Sequence, residues 1–302
     1  MFKIIVVPDD AFEDSEQLGT KEKFWYWHNN QRYLFKASRL NTGEHWAEKI
    51  ACELGELLGL PHAHYELAFW KNKKGIITPS IVPTGGQLVH GNELLNQVYS
   101  NYPIHQRYQV KQHTLRKIKV LMNNPTVHLP FNWKRTKDIE TAFDVFVGYL
   151  LLDTWIANQD RHHENWAFII TKEGTIYLAP TFDHGAGLGR NETDENRKER
   201  LITRDKGRSI EHYVTKARSA IYDNPLSNKP LTTLEVFRQA AQQRPLAGKI
   251  WLSHLENISL TDIQLIFAQI PMTEITLLAS EFAQKILTLN RQRLLTCWKQ
   301  LL

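Results

Sequence analysis

The chain has 302 residues, 42% of them hydrophobic and 23% charged, with a formal net charge of +5 and a sequence pI of about 9.0. This composition excludes a disordered or low-complexity chain and leaves room for one large domain or two lobes, each with its own core. The mild basic excess suits a nucleotide-binding enzyme, an acidic protein partner or nucleic acid about equally. Cys52 and Cys297 fall in helix-like patterns with no partner at metal-ligand spacing. They read as reduced core thiols, which points to a cytoplasmic setting. No apolar stretch reaches the length of a membrane span; the run 145–152 is broken by Asp144 and Asp153.

In chain order, Phe2–Pro8 reads as a first strand and not as a signal peptide. Phe24–Trp27 and Tyr33–Ala37 alternate β-branched or aromatic residues around an HNNQ turn. Residues 44–59 switch to a helical period, with Ala47, Ile50, Ala51, Leu54, Leu57 and Leu58 on one face. Gly59 and Pro61 end that helix. Tyr65–Trp70, a KNKKG turn and Gly75–Val82 predict another hairpin. Pro83-Thr84-Gly85-Gly86 is the best boundary, dividing a β-rich part, 1–84, from a part 85–302 that is mainly helical from about residue 88. Residues 139–159 are apolar on nearly all sides and predict a buried helix. Trp166–Ile170 and Thr175–Ala179 form strands around a Lys172-Glu173-Gly174 turn. Residues 184–208, with seven Lys or Arg against five Asp or Glu, read as a solvated, mobile segment carrying Thr193 and Thr203, with Ser209 just beyond. Helices are expected at 210–222, 232–242, 245–256, 260–269 and 273–302.

Set in this order, the polar residues outline a phosphoryl-transfer site. Asp160 follows the buried helix directly, Asn165 comes five residues on, and Asp183 lies eighteen residues beyond that, past the hairpin. A carboxylate at Asp160 suits proton acceptance from an attacking hydroxyl. Asn165 and Asp183 offer hard oxygens that suit Mg²⁺. Lys36, on a strand, suits the α/β-phosphates of ATP. Glu48 is its expected positioning partner, with Glu44 one turn earlier as the substitute. The loop Ser15–Lys23 would cover the phosphates through Gly19 and Thr20, although its single glycine matches no repeated-glycine pattern. Ile81 and Val82 stand where a hinge would meet adenine. His162 either orients the catalytic loop or bonds nearby backbone. Arg161 is left between bracing an acid and contacting ATP, and Asp153 between bracing the site and a backbone-bonded role. The pair His62/His64 lacks a third ligand and reads as structural. There is no helix-turn-helix or zinc motif, hence no expected direct nucleic-acid contact.

The segments LLLDTWIANQDRHHENWAFII and YLAPTFDHGAGL, together with the placing of Lys36, Glu48 and ELLGLP, resemble the HipA-like kinases, particularly compact members lacking an extra N-terminal subdomain. The resemblance covers most of the chain. It implies an α+β, two-lobed protein-kinase-like fold with a small β-rich N-lobe and a larger, mainly helical C-lobe. It further implies an ATP- and Mg²⁺-dependent Ser/Thr protein kinase with Asp160 as the catalytic Asp, Asn165 and Asp183 as Mg²⁺ ligands and Lys36 on the ATP phosphates. Several members are toxins of toxin–antitoxin pairs that phosphorylate aminoacyl-tRNA synthetases, and others act as effectors. The implied partners are therefore a protein substrate and an antitoxin, in the cytoplasm or in a host cytosol. Some members autophosphorylate in the nucleotide-covering loop, where Ser15 and Thr20 supply hydroxyls. The chain departs from the pattern at His184, where protein kinases usually carry Phe, and in lacking the subdomain that helps longer members engage an antitoxin. Its DRHHEN loop also resembles phosphoinositide kinases, which keeps a lipid or small-molecule kinase as an alternative, beside a non-catalytic nucleotide-binding pseudokinase.

Overall fold

The structure is a computed structural model that describes residues 1–12, 14, 15 and 22–301. Strands β1 (Ile4–Val6), β2 (Asp14–Ser15), β3 (Lys23–His28) and β4 (Gln31–Ala37) precede helix α1 (Glu44–Leu58), which is followed by β5 (Glu66–Trp70) and β6 (Lys73–Pro79). These six strands form one sheet in the order β1-β5-β6-β4-β3-β2, antiparallel except for the β1–β5 pair. Its two tight hairpins turn at Asn29-Asn30 (φ 49° and 61°) and Lys71-Asn72 (φ 43° and 62°). Two left-handed residues give a two-residue loop the twist that its flanking strands need, and asparagine tolerates that backbone. The second turn is tighter than the KNKKG reading, so β6 starts at Lys73 and not at Gly75. It stops at Pro79, which has no N–H to continue a ladder. Helix α1 ends as expected, on Gly59 in the left-handed conformation.

After the Pro83–Gly86 turn, closed by Gly86 N–H on Pro83 O at 2.9 Å, the chain forms β7 (Gln87–His90) and not a helix. Helices α2 (Gly91–Val98) and α3 (Leu115–Met122), strand β8 (Val127–His128), helix α4 (Ala142–Trp155), and strands β9 (Ala167–Ile170) and β10 (Ile176–Leu178) follow. The four short strands pair as β7-β9-β10-β8. The stretch 184–208 contains helix α5 (Asp194–Ile202), so the mobile-segment expectation is corrected. Thr193 caps α5 by accepting the Asn196 N–H, Asp194 pairs with Arg197, and Glu192 pairs with Arg200. The hydroxyl of Thr203 accepts the Asp205 N–H, and that of Ser209 caps α6 (Ile210–Lys216). Helices α7 (Thr233–Gln243), α8 (Pro245–Asn257), α9 (Leu260–Gln269) and α10 (Leu277–Leu301) complete the chain.

Every residue of α4 is buried, as its all-round apolarity requires. It packs against α7, α8 and α10, and its N-terminus is fixed by a Thr141/Asp144 capping box. The inner face of α1, including Ile50, Leu54 and Leu58, belongs to the same core as Phe146, Leu150 and Trp251. A smaller aromatic core lies under the first sheet, where the rings of Phe24, Phe35 and Trp70 stand 4.6–5.8 Å apart. The result is a small sheet-rich N-terminal part and a helical C-terminal part, with α1 packed into the core of the second.

Candidate active site

The loop after α4 is built on a buried ion pair. Asp153, in the last turn of the helix, accepts from Arg161 Nε at 2.7 Å and Nη2 at 2.8 Å, and from Asn158 Nδ2 at 2.8 Å. Arg161 is wholly buried. Its remaining donors reach Asn165 O at 2.5 Å and Thr181 Oγ1 at 3.0 Å. Burial disfavours the guanidinium charge, but the Asp153 carboxylate outweighs this and the pKa of Arg161 rises. Arg161 therefore braces the loop, and Asp153 is its anchor. Asn158 Oδ1 accepts the Asp160 N–H at 3.2 Å, and Asn165 Nδ2 donates to Asp160 O at 2.6 Å. These bonds fix the Asp160 backbone and turn its partly exposed carboxylate into the cleft. They also use the nitrogen end of the Asn165 amide, leaving Oδ1 as the end suited to a cation.

Lys36 and Asp183 are 147 residues apart in sequence, yet they form an ion pair at 3.4 Å. Burial alone would lower the Lys36 pKa; the negative charges of Asp183 and Glu48 reverse this and keep the ammonium charged. Asp183 adopts φ 59°, a left-handed conformation that aspartate, like asparagine, accepts more readily than most residues. Its N–H donates to the Tyr65 hydroxyl at 3.3 Å. Burial pushes that hydroxyl far above its ordinary pKa, so it stays protonated.

Glu48 does not form the expected ion pair with Lys36. Its Oε1 accepts the N–H of His184 at 2.7 Å, and its Oε2 accepts the N–H of Gly185 at 2.8 Å. A Cβ at position 185 would stand 2.9 Å from Glu48 Oε2, which accounts for glycine there. His184, buried, adds a bond from its Nε2 to Thr181 Oγ1 at 2.8 Å. Glu44 pairs with Arg39 and Arg190 and not with Lys36.

Two connected cavities meet at Lys36 and Asp183. One, of about 280 Å³, is polar and includes Arg39, Asp160 and Arg190 in its wall. The other, of about 120 Å³, is walled by Leu34, Ile81, Leu88 and Phe182, with Asn165 and Glu164 at its edge. The polar part suits phosphates and the apolar part suits a flat base. Ile81, expected at the adenine hinge, is one of the residues that line the apolar cavity. Val82 is outside the lining, its N–H donating to Ser80 Oγ at 3.3 Å. Gly19 and Thr20 lie outside the described residues. His162 is buried, and its Nδ1 accepts the Glu164 N–H at 3.1 Å. Its Nε2 lies 3.3 Å from Arg107 Nε and 3.6 Å from Asp160 Oδ1. Burial and then the Arg107 charge lower its pKa to about 3, so it is a neutral ring beside Asp160.

Arg107 was missed by the sequence reading. It lines both cavities and pairs with Glu164 at 3.4 Å. Its neighbourhood, HQRYQ, has no periodicity or motif that would single it out. Arg190 was missed as well, although its place just after the GAGLG run was a usable signal. The donors are of the right kind for Mg²⁺, since Asn165 and Asp183 bring hard oxygens to a cleft that already holds a compact ammonium.

The fold is two-lobed and protein-kinase-like, with this cleft lined by residues of both parts. Among solved structures, the Helicobacter pylori proinflammatory kinase CtkA is similar with a TM-score of 0.74 and 18% identity, covering 95% of this chain and 94% of that one. HipA of a Shewanella oneidensis MR-1 toxin–antitoxin system, solved with HipB and operator DNA, is similar at 0.52 and 12% identity over 95% of this chain and 67% of that one. The fold is thus the one expected from the compact HipA-like resemblance. No family model matches the chain, and no curated protein matches it in sequence. Among the described residues, no helix is long and apolar enough to cross a membrane.

Proposed function

We propose that the chain is an ATP- and Mg²⁺-dependent phosphotransferase, and specifically a Ser/Thr protein kinase of the HipA-like class. The observation that carries the proposal is the convergence of Lys36, Asp160, Asn165 and Asp183 on one cleft with an apolar and a polar half. The names of the neighbours, a proinflammatory kinase and a toxin–antitoxin HipA, support the same reading.

In this reading the base enters against Ile81 and Leu88, and the Lys36 ammonium binds the α/β-phosphates. Asn165 and Asp183 would hold Mg²⁺, which supplies positive charge against the transferring phosphate. Asp160 orients the acceptor hydroxyl and takes its proton as the bond from that oxygen to the γ-phosphorus forms and the bond from the γ-phosphorus to the departing ADP breaks. Glu48 sets the 184–185 backbone and, through it, the position of Asp183. Ser15 and Thr20 are the proposed sites of autophosphorylation. An antitoxin and a protein substrate, an aminoacyl-tRNA synthetase among the candidates, are the proposed partners, in the cytoplasm or a host cytosol.

The test is transfer of labelled γ-phosphate from Mg-ATP to the protein itself, to cell-extract proteins and to an extracted lipid and metabolite fraction. Labelled protein bands that vanish in Asp160→Ala, with circular dichroism unchanged, are the expected result. Label only in the lipid or metabolite fraction would replace the protein-kinase reading with the alternative. ATP binding without any transfer would make the chain a pseudokinase.

A further inference from the structure

Away from the cleft, the fold brings Cys52 of α1 to the pair His62/His64, the third ligand that the sequence did not reveal. One ligand atom from each of the three lies within 4.8 Å of the others. Cys52 Sγ and His62 Nδ1 are 3.5 Å apart. Zn–S and Zn–N bonds of about 2.3 and 2.0 Å at a tetrahedral angle place two ligand atoms about 3.5 Å apart, so this pair is already at bonding separation for one ion.

Hydrogen bonds on both sides hold the pair in place. His62 Nε2 lies 3.0 Å from Glu56 Oε2. A carboxylate there would hold the ring proton on Nε2 once Nδ1 binds an ion. Nδ1 lies 3.1 Å from Ala63 O and 3.5 Å from Cys52 Sγ, and an ion bound there would replace its contact with the carbonyl. This is the carboxylate–histidine arrangement that orients a metal-bound imidazole. The Tyr65 N–H donates to Cys52 Sγ at 3.4 Å and holds the sulfur toward His62. His64 is exposed, with its ring 4.8 Å from that of His62, so a side-chain rotation closes the third position. His62, His64 and Glu56 border a surface groove of about 730 Å³, through which an ion enters and water reaches the fourth position.

We propose that Cys52, His62 and His64 bind one zinc-class divalent ion, with Glu56 supporting His62. Binding displaces the Cys52 thiol proton to solvent and forms the sulfur–metal bond, with no redox change. The site has a mechanical consequence. Cys52 lies one turn beyond Glu48 on α1, while Ala63 N–H donates to Thr181 O and Thr181 N–H to Pro61 O, each at 2.9 Å. The ion would clamp α1 to the strand-like segment that leads into Asp183.

The probe is Co²⁺, titrated into reduced, metal-stripped full-length protein in excess Mg²⁺. One equivalent should produce a near-ultraviolet thiolate-to-cobalt band and intense tetrahedral visible bands, both removed by one equivalent of Zn²⁺. Oxygen ligands such as Asn165 and Asp183 give no thiolate band. Cys52→Ser should abolish that band. His64→Ala, at an exposed position that leaves folding intact, should weaken affinity at least tenfold, and Glu56→Gln should weaken it by roughly 10- to 100-fold. No thiolate band in the wild type, a band that survives in Cys52→Ser, or wild-type affinity in His64→Ala would each overturn the site.

Discussion

Glu48 commits both carboxylate oxygens to backbone N–H groups, at His184 and Gly185, and this decides what its loss does. Glu48→Gln keeps one acceptor and turns an NH₂ toward the other N–H, leaving a buried donor unsatisfied at a cost of about 1–3 kcal/mol. Denaturant unfolding should show that loss, and phosphotransfer should fall because the Asp183 backbone is released. Stability within ~0.5 kcal/mol of wild type would mean that the carboxylate is not the anchor. The sequence pointed to Glu48 as the partner of Lys36; its charge does act on Lys36, while its hydrogen bonds go to the 184–185 backbone. Helical spacing says which face a side chain occupies and is silent on what lies across from it. The same residue scale contains an acid sensitivity. His113, His162 and His163 are buried, and burial, the largest cause at each, lowers their pKa values to about 3, 3 and 4 from 6.5. Between those values and 6.5 the unfolded chain binds protons that the folded chain refuses. Their contribution to stability is therefore complete above pH 6.5 and is lost as pH falls toward 3. Unfolding free energy should decline over that window with a slope of up to about 1.4 kcal/mol per pH unit for each histidine. His113→Gln should make the slope shallower, and an unchanged slope would remove His113 from the account.

At the scale of elements, α4 and its following loop act as one unit because Arg161 ties Asp153, Asn165 and Thr181 together. Arg161→Met leaves the Asp153 charge buried and unpaired, which costs about 3–5 kcal/mol. Adding Asp153→Leu should recover much of that stability, since it removes the stranded charge, while activity stays low because the Asn165 carbonyl loses the Arg161 guanidinium that fixes the loop. Thermal unfolding and phosphate transfer measured on the single and double variants separate the two effects; recovered activity in the double variant would show that the pair does not position the site. The elements differed in how well they could be read, for physical reasons. Helix α4 is long and apolar all round, and the Asn29-Asn30 turn carries its own backbone chemistry. Strands β7 and β8 have four and two residues, too few to express a period. Helix α5 buries only Arg197, so it offers no apolar stripe; its cap and its ion pairs hold it.

At the scale of the whole molecule, the fold class was legible, a small sheet-rich part followed by a helical part, and Lys36, Asp160, Asn165 and Asp183, scattered in the sequence, line the cavities of one cleft. The joining of the two parts was not legible. Periodicity showed that α1 has an apolar face, but several neighbours could have covered it, and the structure gives that face to the core built around α4. Helix α1 also carries Glu48, so the cleft depends on a helix buried in the core of the opposite part. A shared core makes partial unfolding costly, because opening the sheet-rich part would expose the Ile50, Leu54 and Leu58 face to water at about 1.5–3 kcal/mol for each fully buried side chain. The two parts should therefore unfold in one transition, with tryptophan fluorescence and far-ultraviolet circular dichroism tracing the same denaturant curve. Mg-ATP at about 100 times its dissociation constant should add about 2.7 kcal/mol and shift both signals together. Two separate transitions, or a nucleotide shift seen by one probe alone, would mean that the parts are independent folding units and that α1 does not couple them.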